Sequence, residues 1–246
     1  ASKALDRSDL IIAVGTRFSD RATGNKQAFS KDRRVLHIDI DPAEISKNIP
    51  AYVALVGDVR LALDALNGAG LPHSDPAWLE EVRALMAAPD NHLTMDPERL
   101  NPQLVLNALN ARLPADSPVA TDVGQHQMWV AQYYRFEKPR TFITSGGLGT
   151  MGFGMGAAMG ACIGTGLKKT VLVTSDGSFH MNMNELATAV ANRLPLLVLV
   201  LNNSVLGMVR QWQTMFFGKR YSNTTLNRPT DFCLLAQAFG AKGLRL

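Results

Sequence analysis

The chain reads as an α/β protein built from two parallel-sheet, three-layer domains. Three observations predict this class. Apolar runs of strand length, such as "LIIAV", "TVLVTS" and "LLVLVL", alternate with helical segments along the whole chain. The later runs are apolar almost throughout, as strands buried on both faces are. Several stop abruptly on polar residues, at Asp176 and at Asn202-Asn203 among others, and the carboxyl ends of parallel strands are where such sheets hold ligands.

Taken in order, a helix-like "SKALDRSD" precedes a strand at Leu10–Val14 and the loop "GTRFSDRATGN". A strand at Val35–Ile40, a short helix opened by Asp41-Pro42 and a strand at Val53–Val56 follow. From Asn67 to Pro102, five prolines surround a single amphipathic stretch, "AWLEEVRALMAA", which is linker composition. The domain boundary is expected near residue 98, giving a first domain over 1–68, a linker over 69–98 and a second domain over 99–246. That second domain opens with a helix at Gln103–Ala111, a strand ending in Asp122 and the helix "HQMWVAQYY". Next come the strand "TFITS", a glycine-rich turn, the small-residue helix "GFGMGAAMGACIG" and the strand "TVLVTSD". The helix "MNMNELATAVANR", the strand "LLVLVLNN" and a helix from Gly207 complete the order.

With 46% hydrophobic residues in 246, the composition is that of a soluble globular protein. A net charge of +4 with no Lys/Arg run longer than a pair argues against nucleic acid as a partner. Cys162 and Cys233 lie in apolar stretches without metal-ligand spacing, which fits packed thiols in a reducing, cytoplasmic compartment. No run approaches the ~18 apolar residues of a membrane span, so no membrane association is expected. The start has neither a leading Met nor a secretory pattern, as if cut from something longer.

Gly147, Gly149 and Gly152 satisfy G-x-G-x-x-G between a strand and a helix, with Asp176 ending the next strand, the arrangement of a nicotinamide-binding fold. Three features pull away from that reading: Asp176 runs into Gly177 and a new helix, Asn202-Asn203 ends the following strand, and "TDVGQHQ" is a further polar strand end. One carboxylate, one amide oxygen and a backbone carbonyl are hard oxygen ligands suited to Mg²⁺ bridged to phosphates. The helix opened by Gly177 and Ser178 can turn N–H groups to the same anion.

The segment "SDGSFHMNMNELATAVANRLPLLVLVLNN" resembles the thiamin-diphosphate motif, usually Gly-Asp-Gly, a span of a little under thirty residues, and Asn-Asn. With "TDVGQHQMWVAQYY", "SGGLGTMGFGM" and "LGMVRQWQTMFFGKRYS", the chain resembles the large catalytic subunits of the acetolactate synthase (acetohydroxyacid synthase) family. "VGTRFSDRATGN", "HIDIDPAEISKN" and "VGD" are similar to the second half of that family's central FAD-binding domain, so the likeness covers the whole chain. Two positions depart from the pattern: Ser175 stands for the motif's first glycine, and Gly156 for a proline after "GFGM".

The resemblance implies two 2-keto acid substrates, pyruvate with pyruvate or 2-ketobutyrate, joined with loss of CO₂ in branched-chain amino-acid biosynthesis. It implies thiamin diphosphate, Mg²⁺ and FAD as cofactors. By the same likeness Asp176 and Asn203 are Mg²⁺ ligands together with the carbonyl of Val205, and Gly124, Gln125, His126, Gly149, Gly177 and Ser178 meet the cofactor. Met151 would hold the cofactor bent, and Met208 and Trp212 would line the substrate pocket. Read on their own residues, His126 is equally a helix-start residue, Met151 core packing, and Met208 and Trp212 an ordinary apolar stripe at i and i+4.

In the first domain, Gly15, Thr16, Arg17 and Arg21 follow one strand, and Asp39, Gly57 and Asp58 end later ones. Such residues suit a dinucleotide and suit surface pairing as well, so FAD is implied by the likeness. A homodimer or homotetramer and a regulatory small subunit are implied with it. The family's pyrimidine-activating glutamate lies in an N-terminal domain, and neither Glu185 nor the linker's Glu80, Glu81 and Glu98 matches it, so the 246 residues alone are expected to be inactive. A simple 2-keto-acid decarboxylase and a non-catalytic nucleotide-binding fragment are the rival readings, with "GMVRQWQ" favouring the carboligase.

Overall fold

A computed structural model describes residues 2–70, 75–87 and 99–246. The chain divides into two compact units, residues 1–93 and 94–246. The expected boundary near residue 98, half of the expected linker and Glu98 lie outside the described residues.

The first unit runs α1 (Ser2–Arg7), β1 (Leu10–Val14), α2 (Asp20–Thr23), α3 (Lys26–Ser30), β2 (Arg34–Asp39), β3 (Val53–Val56), α4 (Val59–Gly68) and α5 (Pro76–Ala87). Its sheet is parallel in the order β1-β2-β3. Alternation along β1 buries Ile11 and Ala13, which pack with Phe18, Val35 and Ile49. Side-chain oxygens open α3 and α4: Asn25 accepts from the amides of Gln27 and Ala28, and Asp58 from those of Arg60 and Leu61. The helix expected after Asp41-Pro42 does not form. Residues 41–49 are turns with N–H groups bonded three residues back, at Glu44, Ile45 and Lys47. Ser46 at φ 59° is left-handed, which a continuing helix excludes.

The second unit begins with α6 (Pro102–Asn110), β4 (Val119–Thr121), α7 (Gln125–Tyr133), β5 (Phe142–Ile143), α8 (Phe153–Gly164) and β6 (Thr170–Ser175). It continues through α9 (Asp176–Asn182), a 3₁₀ turn at Met183–Glu185, α10 (Leu186–Ala191), β7 (Leu196–Leu201), α11 (Gly207–Phe216) and α12 (Phe232–Ala238). All pairings are parallel in the order β5-β4-β6-β7.

The two-residue period of the central strands sorts the core into two layers. Ala120 and Leu172 pack on one face with Met155 and Ala158 of α8, Phe179 of α9 and Ala189 of α10. Val119, Val171 and Val173 pack on the other with Leu106 of α6 and Val130 of α7. Burying a branched side chain of this kind stabilises by about 1.5–3 kcal/mol, and this double burial is why β6 needs an almost wholly apolar sequence. Among the described residues no helix is long and apolar enough to cross a membrane.

The strand order also fixes where a ligand belongs. From β4 the chain moves outward to β5, whereas from β6 it moves outward the other way to β7. The loops leaving the adjacent β4 and β6 therefore diverge, and a crevice opens between their carboxyl ends.

Candidate functional site at the sheet switch point

The divergence sets the loop after β4, residues 122–124, beside the start of α9. Ser178 Oγ donates to the carbonyl of Val123 at 2.9 Å, joining the two across the crevice. A cavity of about 150 Å³ lies here, lined by Gly124, Gln125, His126, Gly149, Met151, Asn203, Val205 and Met208 among others. Loops after β4, β5 and β7 thus contribute, and Ser175 at the end of β6 completes the wall.

Asp176 follows Ser175 and is buried. Its Oδ1 has no hydrogen-bond partner among the described residues, a costly state for a buried polar oxygen. Asn203 is exposed, and its Oδ1 accepts the Val205 N–H at 3.1 Å, leaving a lone pair for a further bond. Among the described residues there is no group of three or more His, Cys, Asp or Glu that could hold a metal. A cation here would rely on one carboxylate with amide, carbonyl and phosphate oxygens, a donor set that fits Mg²⁺.

His126, in the first turn of α7, is buried with Nε2 unpartnered. Burial pushes its imidazole pKa down to about 4, opposed by a backbone hydrogen bond to Asp122. Gly124 caps this helix at φ 154°, and a Cβ there would stand 2.7 Å from His126 Cε1, so only glycine fits. Gln125 reaches across to α11, donating from Nε2 to Gln211 Oε1 at 2.9 Å.

The depressed His126 pKa has a sign that can be tested. The unfolded state takes up the proton near the ordinary 6.5 and the folded state only near 4, so its stabilising contribution is complete above pH 6.5. It falls away as pH drops towards 4, by on the order of 3 kcal/mol. Urea denaturation between pH 7 and 4 is expected to show this acid limb, and His126→Gln to flatten it. Parallel profiles for the two proteins would refute the assignment.

Asp122 was visible in the sequence as a polar strand end, but its task was not. Its Oδ1 accepts the amides of Gly152 at 2.7 Å and Val123 at 3.0 Å, and Thr174 Oγ1 donates to Oδ2 at 3.5 Å. The buried carboxylate therefore ties the glycine turn, with Gly149 and Met151, to the end of β4. Burial raises its pKa above the usual carboxylate value, with the backbone bonds pulling the other way. Asn182 Nδ2 holds the same turn from α9, donating to the Gly152 carbonyl at 2.5 Å.

Trp212 lies one helical turn beyond Met208 on α11 and is not among the residues lining this cavity, whereas Trp129 of α7 is. Ser175 takes φ −120° and ψ 165°, ordinary extended backbone, so serine is accommodated where the motif usually has glycine. At Gly156, on α8, an added Cβ would meet nothing within 4 Å outside its own helix.

The first unit holds the other expected residues at or beyond the carboxyl ends of its three strands. Gly15 N–H bonds the Ile38 carbonyl at 2.9 Å, and Gly57 N–H the Asp39 carbonyl at 2.9 Å. Asp39 is buried and accepts the Asp41 N–H, while Asp58 caps α4. Thr16 is half-buried, Arg17 exposed, and Arg21 lies 3.9 Å from Asp20.

The switch-point crevice brings His126, the glycine turn and the Asn203 loop to one cavity, with Ser175 in its wall and the buried Asp176 next in the chain, polar groups at the carboxyl ends of parallel strands where such folds hold ligands. Residues 122–246 match the model of the C-terminal TPP binding domain of thiamine pyrophosphate enzymes, and residues 1–66 the central domain of the same enzymes. The chain belongs to the thiamine pyrophosphate enzyme family.

Among its relatives is the acetolactate synthase isozyme 2 large subunit of Escherichia coli, 46% identical over 243 residues, covering 99% of this chain and 44% of that protein. Another is an acetolactate synthase of Mycobacterium bovis, 44% identical over 258 residues, covering 100% of this chain and 41% of that protein. The isozyme 3 large subunit of Escherichia coli is 41% identical over 253 residues, covering 100% of this chain and 44% of that protein. The chain thus spans less than half the length of these relatives.

Proposed function

We propose that the protein to which this chain belongs joins two 2-keto acids with loss of CO₂, forming acetolactate from two molecules of pyruvate or the homologous product with 2-ketobutyrate. The observation that carries this reading is the similarity, over nearly the whole chain, to proteins named acetolactate synthase. Thiamine pyrophosphate, when bound, supplies the electron sink that decarboxylation and carbon–carbon bond formation need. In this reading Asp176, Asn203 and the Val205 carbonyl hold Mg²⁺, and Gln125 and His126 meet the diphosphate with Gly124, Gly149, Gly177 and Ser178 around it.

Burial keeps His126 uncharged at neutral pH, so the Mg²⁺ ion balances the diphosphate charge and the imidazole acts as a neutral hydrogen-bonding group. Met151 supports the cofactor from the glycine turn, Met208 faces the substrate side of the cavity, and Trp212 bounds the acceptor pocket from the next turn of α11. FAD binding by the first unit, through Gly15, Thr16, Arg17, Arg21, Asp39, Gly57 and Asp58, is part of the proposal. So are a homodimer or homotetramer, a regulatory small subunit and a cytoplasmic location.

The test supplies the whole protein with pyruvate. Acetolactate is expected only when Mg²⁺ and thiamine pyrophosphate are both present, and flavin absorbance is expected in the purified protein. Acetaldehyde as the sole product would replace the carboligase reading with simple decarboxylation.

A further inference from the structure

We propose that His180 is a positioning residue for the cation side of the cofactor site, acting by fastening one strap of chain to both segments that carry the ligands. The inference rests on the reading that Asp176, Asn203 and Val205 hold Mg²⁺. The strap is the segment 224–231, which leads into α12. At its start it is sewn to the Asn203 loop: Leu206 N–H bonds the Thr224 carbonyl at 2.8 Å, and Leu226 N–H the Ser204 carbonyl at 2.8 Å. Val205 and Thr225 form an antiparallel bridge between these bonds. Leu226 also closes on the start of α9, where a Cβ on Gly177 would stand 3.2 Å from Leu226 Cδ1.

At its far end the strap meets α9 through His180. The ring Nδ1 lies 2.6 Å from the carbonyl oxygen of Asp176, and Nε2 lies 2.8 Å from Thr230 Oγ1. A carbonyl can only accept, so Nδ1 carries the hydrogen, and in the neutral ring Nε2 accepts from the Thr230 hydroxyl. Both ring nitrogens are thereby spent on holding Asp176 to Thr230. Phe232 packs edge-on to His180 at 5.3 Å and against Phe179 at 5.9 Å, fixing the ring's plane. Asp231 caps α12 beside this contact.

The carboxylate ligand opens α9 directly after β6, and the amide and carbonyl ligands lie in the loop after β7. The strap spans them, and His180 is its clasp on the carboxylate side. Loosening a group that orients metal ligands lowers metal affinity by about 10- to 100-fold.

The experiment measures, on the whole protein by calorimetry, the Mg²⁺ concentration giving half-saturation at saturating thiamine pyrophosphate. Stability is followed separately by urea denaturation. His180→Ala is expected to raise half-saturation about 10- to 100-fold. Thr230→Val is expected to raise it less, because the bond to the Asp176 carbonyl survives. His180→Gln, which keeps a donor and an acceptor, is expected to restore most of the affinity. Joining the Ala and Val changes should be no worse than His180→Ala alone.

Half-saturation within twofold of the parent in both single variants, or strictly additive effects in the double variant, would overturn the proposal. So would a fall in stability with unaltered half-saturation. Should His180→Ala fail to fold, Thr230→Val and His180→Gln decide by the same criteria. A parent protein that shows no Mg²⁺-dependent cofactor binding would refute the underlying cation reading itself, and this inference with it.

Discussion

Asp176→Ala is expected to abolish Mg²⁺-dependent binding of thiamine pyrophosphate while leaving the cofactor-free protein as stable as before, or more so. The two halves of this expectation share one cause. Among the described residues Asp176 Oδ1 is buried without a partner, so the fold carries a desolvation cost that no described residue offsets. Removing the carboxylate relieves that cost and removes the only charged protein ligand proposed for the ion, which coordinates hard oxygens. Calorimetry with Mg²⁺ and thiamine pyrophosphate should register no metal-dependent heat at concentrations that saturate the parent, and urea denaturation should show no loss of stability. Retained affinity would move the cation elsewhere, whereas a large loss of stability would make Asp176 a structural residue.

The opposite balance is expected at Asp122. Its buried carboxylate accepts the amides of Gly152 and Val123, and Asp122→Ala leaves both N–H groups without an acceptor. At roughly 1–3 kcal/mol for each unsatisfied donor, the loss of folding stability should be on the order of 2–6 kcal/mol. Cofactor affinity should fall with it, because the turn bearing Gly149 and Met151 loses its anchor on β4. Asp122→Asn keeps one carbonyl oxygen and should recover part of both. Stability of Asp122→Ala within about 0.5 kcal/mol of the parent, the range of an ordinary surface change, would refute this role.

The contrast between these two aspartates shows what was legible in the sequence. Asp176 could be read because its neighbours carry the message: an apolar run, an acid, Gly177, and Asn203 at the end of the next strand. The second sheet was legible for the same reason, since double burial of β6 demands a continuous apolar run, whereas in the first sheet β1 alternates and β3 is exposed, so the apolar runs there gave the strands without their burial. Asp122 ends a strand just as plainly, but its function depends on the amide of Gly152, thirty positions away and brought near only by the packing of α8. The strap fastened by His180 is hidden in the same way, because no spacing announces a contact between α9 and Thr230.

One local signal misled, and others were silent on what the structure adds. Asp41-Pro42 is a sound helix start, yet the chain turns at Ser46 with positive φ. Helical spacing placed Met208 and Trp212 on one face of α11, and periodicity reports direction without depth, so it did not reveal that only Met208 lines the cavity. Asp58 suits a dinucleotide and local pairing equally by its position, and its Oδ1 caps α4, a bond that composition alone does not announce.

The sheet order has a kinetic consequence as well. β4 pairs with β5 and β6 with β7 across about 25 residues each, whereas the β4–β6 pairing spans about 50, and doubling a loop adds roughly 0.6 kcal/mol of closure entropy. The two outer pairs should therefore close first during folding and the central seam last. Pulse-labelled amide exchange should then find β6 and β7 protected before the residues of β4 that face β6, and simultaneous protection would contradict this order. Because the crevice is that seam, Asp176 and Asn203 would come together on one half-sheet before Gln125 and His126 arrive on the other, so a newly made chain would acquire the half proposed to hold the cation before the half proposed to meet the diphosphate.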